Sequence, residues 1–228
     1  MMKAERMIVA AVPVKDFVNA KQRLMPALGA AERAALAAAM LEDVLAALAA
    51  ARLDCVWVVT REPAVVALAR ARGACPLAED ANRGHTAAVA RAQTEATRLG
   101  ARVFLTIPGD VPCVTADEIR RLAEAAAAGA PAFVPSRSGL GTNGAALAPP
   151  DAMPLTFGEP SFDNHLAAAR ARGLEPRVLP LPGLGLDVDA PEDLAALLDM
   201  PGATVSARLV ASWRAGGRLQ PAGIPRAS

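Results

Sequence analysis

Short apolar runs alternate along this chain with longer alanine-rich stretches whose apolar residues recur at helical spacing. Met7–Val12, Cys55–Thr60 and Val103–Ile107 are short, nearly continuous and rich in β-branched residues, the pattern of strands buried on both faces. The intervening segments Ala31–Ala51, Pro63–Arg72 and Thr86–Leu99 predict helices, with Pro63 suited to a first turn. A short strand is expected around Pro76-Leu77. Thr115, followed three residues on by Glu118, has capping-box spacing and predicts a helix running to Ala128. Strand–helix–strand alternation of this kind is the signature of parallel βαβ units. The expected fold class is α/β: a single-domain, Rossmann-like, mixed but mostly parallel sheet flanked by helices.

Beyond Gly129 prolines and glycines punctuate the pattern. Short strands are predicted near Ala132–Val134 and Ala145–Ala148, then a proline-rich loop over Asp151–Pro160 and a helix over Ser161–Arg172. Arg177–Leu181 reads as a strand and Pro191–Leu198 as a helix. The chain reads as one domain over residues 1–215, with residues 216–228, rich in Gly and Pro, as a loose tail.

With 228 residues, 53% of them hydrophobic, the chain can bury a substantial core. Aromatic residues make up only 3%, with no tyrosine, which excludes a base-stacking nucleic-acid platform. A formal net charge of +1 gives no general basic field, so any anion binding must be local. Cys55, Cys75 and Cys113 lack metal or redox spacing and read as reduced core thiols of a cytoplasmic protein. Met7–Val12 is too short for a membrane span or signal peptide, so no membrane partner is expected.

Three aspartates carry the candidate chemistry. Asp110 follows a predicted parallel strand, where open α/β sheets bind ligands in the crevice at the strands' carboxyl ends. Asp187 and Asp189, two apart in an extended segment, project to one face. Hard oxygen ligands of this kind suit Mg²⁺ held together with a substrate's phosphates. Asp110 alone, between two prolines, reads equally well as a turn residue. Its combination with the other two favours the metal. After the first strand, Pro13, Val14, Lys15, Lys21 and Arg23 form a loop able to wrap a triphosphate, with Gly109 facing it from the turn before Asp110. A solvated basic loop is the bland alternative. Glu79–Thr86, with Asp80 and Gly84, could contact a base or ribose, or serve only as a helix entry. Gly141–Gly144 offers exposed amides and the Thr142 hydroxyl as an oxyanion cradle. Gly158–Ser161 offers the same at a helix start, with Ser161 as cap. Ordinary turn and cap chemistry explains either alone. His165, one turn beyond Ser161, could approach an acceptor anion but reads better as a packed surface histidine, and Trp57 and Trp213 read as core or interface residues. No Ser-His-Asp or Cys-His nucleophile arrangement is evident.

Five motifs in order, Val12-Pro-Val-Lys15…Lys21-Gln-Arg23-Leu24, Pro108-Gly-Asp110-Val-Pro112, Gly141-Thr-Asn-Gly144, Phe157-Gly-Glu-Pro-Ser161-Phe162 and Leu186-Asp-Val-Asp189-Ala-Pro-Glu-Asp-Leu194, resemble the 2-phospho-L-lactate guanylyltransferase family. The resemblance covers roughly Met7 to Leu198 and implies a glycosyltransferase-A-like nucleotidyltransferase fold. It implies transfer of GMP from GTP to 2-phospho-L-lactate, phosphoenolpyruvate or 3-phospho-D-glycerate, in making the deazaflavin coenzyme F(420). By position, Asp110, Asp187 and Asp189 would bind Mg²⁺, Lys15 and Lys21 the triphosphate, and Thr142, Gly158 and Ser161 the acceptor. One departure is Gly84-His85-Thr86, where relatives commonly carry Gly-Leu-Asn. Expected partners are GTP and the phospho-acid, with the transferase that consumes the product and a second copy of the chain as further candidates. Alternatives are a molybdopterin or sugar-nucleotide nucleotidyltransferase, a glycosyltransferase, or a non-catalytic nucleotide-binding module.

Overall fold

A computed structural model describes residues 7–79, 81 and 83–219. In chain order its first half comprises β1 (Ile8–Pro13), α1 (Ala30–Ala51), β2 (Cys55–Val59), α2 (Pro63–Ala71), β3 (Cys75–Leu77), α3 (His85–Arg98), β4 (Val103–Thr106) and α4 (Ala116–Ala127). Its second half comprises β5 (Ala132–Pro135), β6 (Thr142–Leu147), α5 (Ser161–Arg170), β7 (Arg177–Val178), α6 (Pro182–Gly185), α7 (Pro191–Asp199) and α8 (Val205–Ala215). The strands form one sheet in the order β3-β2-β1-β4-β6-β5-β7. This is the mixed, mostly parallel sheet the sequence predicts.

β1 lies between two parallel partners, with Val9 opposite both Cys55 of β2 and Phe104 of β4. Chain connections leave β1 in one direction and reach β4 in the other, so the crevice above these two strands is a topological switch point. β6 alone runs antiparallel to its neighbours, with Thr106 of β4 opposite Ala145. Its first residues therefore lie at the same end of the sheet as the segment that follows β4.

Continuous apolar strands bury both faces. On one, Ala10, Val12, Val58 and Leu105 meet Leu41, Leu45 and Leu48 of α1 and Leu122 of α4. On the other, Val9, Trp57 and Phe104 meet Val89 and Ala92 of α3. A third cluster lies outboard of α1, where Leu36 and Met40 pack against Val210 and Trp213 of α8. α1 is long and apolar enough to cross a membrane, and here it is sandwiched between sheet and helix.

Several expectations need correction. β6 begins at Thr142, three residues before the predicted strand, so Gly141–Gly144 is not an open turn: Thr142, Asn143 and Gly144 are buried in the sheet. The strand predicted over Arg177–Leu181 is a two-residue edge strand, and Pro182–Gly185 turns helical instead. Helix α8 has no counterpart in the sequence reading. Its start is held by Asp43 of α1, which accepts from the Val205 and Ser206 amides at 2.7 and 2.9 Å. Cys113 is buried, but Cys75 is exposed and Cys55 intermediate, so the three are not all core thiols. Of the predicted tail only residues 216–219 lie within the described residues.

The capping box of α4 is present and serves a second purpose. Glu118 Oε2 accepts from the Thr115 amide at 2.9 Å, and Thr115 Oγ1 accepts from the Glu118 amide at 3.2 Å. Glu118 Oε1 accepts from the buried Gly183 amide at 2.8 Å, tying α6 to α4. A Cβ at Gly183 would lie 2.3 Å from the Cys113 carbonyl oxygen, so only glycine fits the approach. Replacing Glu118 by alanine leaves both amides without an acceptor and should cost about 2–3 kcal/mol. Urea unfolding measures this; a loss below about 0.5 kcal/mol would rule out the clamp.

Candidate active site

The crevice is built from the ends of β1 and β4. Past Pro13 the chain stays on the sheet through the Val14 amide, which donates to the Val59 carbonyl at 3.0 Å. The loop then curls inward, the Asn19 amide donating to Asp16 Oδ1 at 2.6 Å. It closes at Lys21, whose φ of 56° and ψ of 43° are left-handed, a conformation that costs a non-glycine residue roughly 1–2 kcal/mol. A single helical turn, Gln22–Leu24, follows and buries Leu24 completely. That anchor aims the Lys21 side chain into the crevice.

Lys21 Nζ lies 2.5 Å from Asp110 Oδ2 and 2.6 Å from Asp189 Oδ1, with its side chain only 7% exposed. Burial alone would lower its pKa, but the two carboxylates outweigh burial and hold it above its ordinary value. The Asp110 carbonyl accepts from the Val188 amide at 3.1 Å, which tethers the second acidic segment beside the first. Asp187 is turned to a different partner: its Oδ1 accepts from Asn143 Nδ2 at 2.9 Å, and that amide also donates to the Gly185 carbonyl. Burial, with the charges of Asp110 and Asp189 adding to it, raises the Asp187 carboxyl above its usual range against the Asn143 bond. Among the described residues no group of three His, Cys, Asp or Glu side chains stands at metal-binding spacing. Asp110 and Asp189 are instead joined through an ammonium, with Asp187 held separately by β6.

A cavity of about 300 Å³ opens here, and Pro13, Val14, Lys15, Lys21, Gly109 and Asp110 are among its lining residues. Of the expected nucleotide contacts, Pro13, Val14, Lys15, Lys21 and Gly109 are thus brought together, whereas Gly84 and the exposed Arg23 lie outside the lining. Asp80 lies outside the described residues. Gly84, at φ 90°, immediately precedes α3. There Thr86 Oγ1 donates to the Phe157 carbonyl at 3.2 Å and accepts from its amide at 2.9 Å. The His85 ring lies 4.3 Å from that of Phe157, so the start of α3 is docked on the loop that carries Gly158.

The expected acceptor residues converge differently from the prediction. Pro160 occupies the N-cap position of α5, and Ser161 does not cap it. Ser161 Oγ instead accepts from the Thr142 amide of β6 at 3.0 Å. Gly158, at φ 120°, has open space where a side chain would stand. His165 is buried, 1% exposed, and not on the surface. Its Nδ1 lies 2.9 Å from Thr142 Oγ1, its Nε2 accepts from the Thr156 amide at 3.0 Å, and its ring stacks on Phe133. Burial, reinforced by the charge of His85, lowers its pKa to about 4. Sequence reasoning missed Asn143 as a site residue and ranked an acceptor contact of His165 below a packed surface position. Ser161 and His165 are four apart on one helix face, which was the available signal for the histidine.

Together these features define the α/β nucleotidyltransferase class of fold. The structure is similar to that of a putative nucleotide-diphospho-sugar transferase from Desulfovibrio desulfuricans, with a TM-score of 0.76 and 17% identity over 92% of this chain and 96% of the other. The chain belongs to the CofC-like guanylyl transferase family, whose model matches residues 7–209. It is 42% identical over 190 residues to a phosphoenolpyruvate guanylyltransferase of Sphaerobacter thermophilus, covering 83% of this chain and 91% of that one. It is 36% identical over 189 residues to a 2-phospho-L-lactate guanylyltransferase of Methanothermobacter thermautotrophicus, covering 83% of each.

The buried histidine gives a pH test. Folded His165 stays neutral down to about pH 4, whereas an unfolded imidazole protonates near 6.5. Between those values the unfolded chain binds the extra proton, so stability should fall as pH drops from 6.5 toward 4. The loss attributable to this residue is about 2–3 kcal/mol, read as the wild-type stability curve minus that of His165→Asn. A pH-independent difference would contradict the buried neutral state.

Proposed function

We propose that this chain transfers GMP from GTP to phosphoenolpyruvate, 2-phospho-L-lactate or 3-phospho-D-glycerate, releasing pyrophosphate, in the making of the deazaflavin coenzyme F(420). The observation that carries this reading is the Lys21 ammonium clasped between Asp110 and Asp189 beside a loop suited to phosphates. The names of the relatives supply the guanine nucleotide and the phospho-acid class.

In the reaction an oxygen of the acceptor's phosphate attacks the α-phosphorus of GTP. One phosphorus–oxygen bond forms, the bond to the bridging oxygen of the β-phosphate breaks, and the electron pair leaves with pyrophosphate. The attacking oxygen is already anionic, so no general base is required. Catalysis then rests on positioning and on neutralising charge. Lys15 and Lys21 would bind the triphosphate, and Arg23 would act on it from outside the cavity. Thr142, Gly158 and Ser161 would hold the acceptor.

Mg²⁺ is the proposed metal, because two carboxylates completed by substrate phosphates suit it. The Lys21 ammonium would be its stand-in between Asp110 and Asp189, and Asp187, two residues before Asp189 in the same segment, would be the third ligand. Bound there, the ion would offset the charge on the reacting phosphates.

The decisive experiment is a pyrophosphate-release assay crossing GTP, ATP and CTP with the three phospho-acids. GTP with at least one acid should support release, and none doing so would end this reading. Asp110→Asn should lose roughly a thousandfold in turnover while unfolding normally. Lys21 and a metal compete for the same oxygens, so Lys21→Gln should bind Mn²⁺ alone more tightly than wild type in a calorimetric titration. Equal affinity would show that the ammonium does not occupy the metal's place.

A further inference from the structure

The hydrogens around Thr142 can be assigned by counting donors. The Thr156 amide can only donate, and it faces His165 Nε2 at 3.0 Å. Nε2 therefore carries the lone pair and Nδ1 the hydrogen of the neutral ring. Nδ1–H then donates to Thr142 Oγ1 at 2.9 Å. The Thr142 amide donates to Ser161 Oγ at 3.0 Å, and the Ser161 hydroxyl donates to Thr142 Oγ1 at 3.3 Å. Both hydroxyl oxygens are thus supplied with donors, and of their two hydrogens only one is used. The Thr142 hydroxyl hydrogen has no acceptor among the described residues. In the opposite tautomer Nδ1 would accept that hydrogen, and the pair would have none to give.

We infer that His165 is a positioning residue: its Nδ1–H turns the Thr142–Ser161 hydroxyl pair into a net donor of one hydrogen bond to an oxyanion of the acceptor. A phosphate or carboxylate oxygen offers lone pairs and no hydrogen, so it satisfies such a pair, whereas a group needing an acceptor does not. The ring is fixed for this task, stacked on Phe133 with centroids 5.2 Å apart and met edge-on by Phe157 at 5.1 Å. Burial keeps it neutral at physiological pH, so one tautomer persists. β6 also joins the two halves of the site. Successive strand residues face opposite ways, and Thr142 meets His165 while Asn143 meets Asp187.

The inference rests on the acceptor reading given under the proposed function. Long-range proton–nitrogen NMR of the ¹⁵N-labelled wild-type chain should find His165 neutral with the hydrogen on Nδ1, its signals assigned by their absence from His165→Asn. A hydrogen on Nε2 overturns the inference whatever the activity of the variants. In kinetics, His165→Leu should raise the KM for the phospho-acid roughly tenfold or more, the loss expected for one hydrogen bond to a charged group, and leave the KM for GTP within about twofold. Asparagine carries an amide nitrogen at the place of Nδ1, so His165→Asn should recover most of that loss. Thr142→Val should match His165→Leu, and the double variant should be no worse than Thr142→Val alone. Equal losses in the Leu and Asn variants, or an acceptor KM unmoved by both, overturn the positioning role. A wild-type chain that releases pyrophosphate normally in that case keeps the proposed function intact; one inactive with every phospho-acid removes the function and the ligand of this inference together.

Discussion

The direction of β6 is the constraint on which the site depends. Had it run with its neighbours, Thr142 and Asn143 would stand at the far end of the sheet from Asp110. Its reversal sets them beside the turn that follows β4, where Asn143 fixes Asp187 and Thr142 receives Ser161 and His165. Gly144 makes the reversal compatible with close packing, because a Cβ there would meet Leu184 at 2.8 Å and Leu122 at 3.0 Å. Strand direction, a property of backbone pairing, thereby decides which side chains can share a substrate.

The charges in the crevice follow a second logic. Moving an ammonium out of water is expensive unless paired charges compensate it. Lys21 is compensated twice, by Asp110 and Asp189, and those carboxylates remain partly open to solvent at 29% and 40%. The crevice therefore keeps a place for positive charge when no ligand is bound. The strained backbone of Lys21 belongs to the same arrangement, since its left-handed turn is what directs the side chain inward.

Much of this was legible in the sequence, and the misses have physical causes. Apolar runs located β1, β2 and β4, and the Thr115–Glu118 spacing located the start of α4, because burial and local capping leave local patterns. Gly141–Gly144 has turn composition, yet pairing with β5 makes most of it strand; tertiary context overrode propensity. Ser161 looked like a cap because caps are local, but its hydroxyl is taken by an amide nineteen positions away in sequence. Asp110, Asp187 and Asp189 stand out in the sequence as acidic residues beside predicted strands, while the ammonium between two of them depends on a fold-wide meeting that spacing cannot encode. The role of Asp43 in starting α8 was hidden for the same reason.

The sheet's two borders carry a consequence of another kind. An uncovered border strand offers a row of unmatched backbone groups to which another chain can add, the usual seed of aggregation. β3 is three residues long and contains Pro76, which has no amide hydrogen to offer, and β7 is only two residues long. Both borders are too short and irregular to template a growing sheet. Among the described strands, neither border of the sheet therefore invites a further strand.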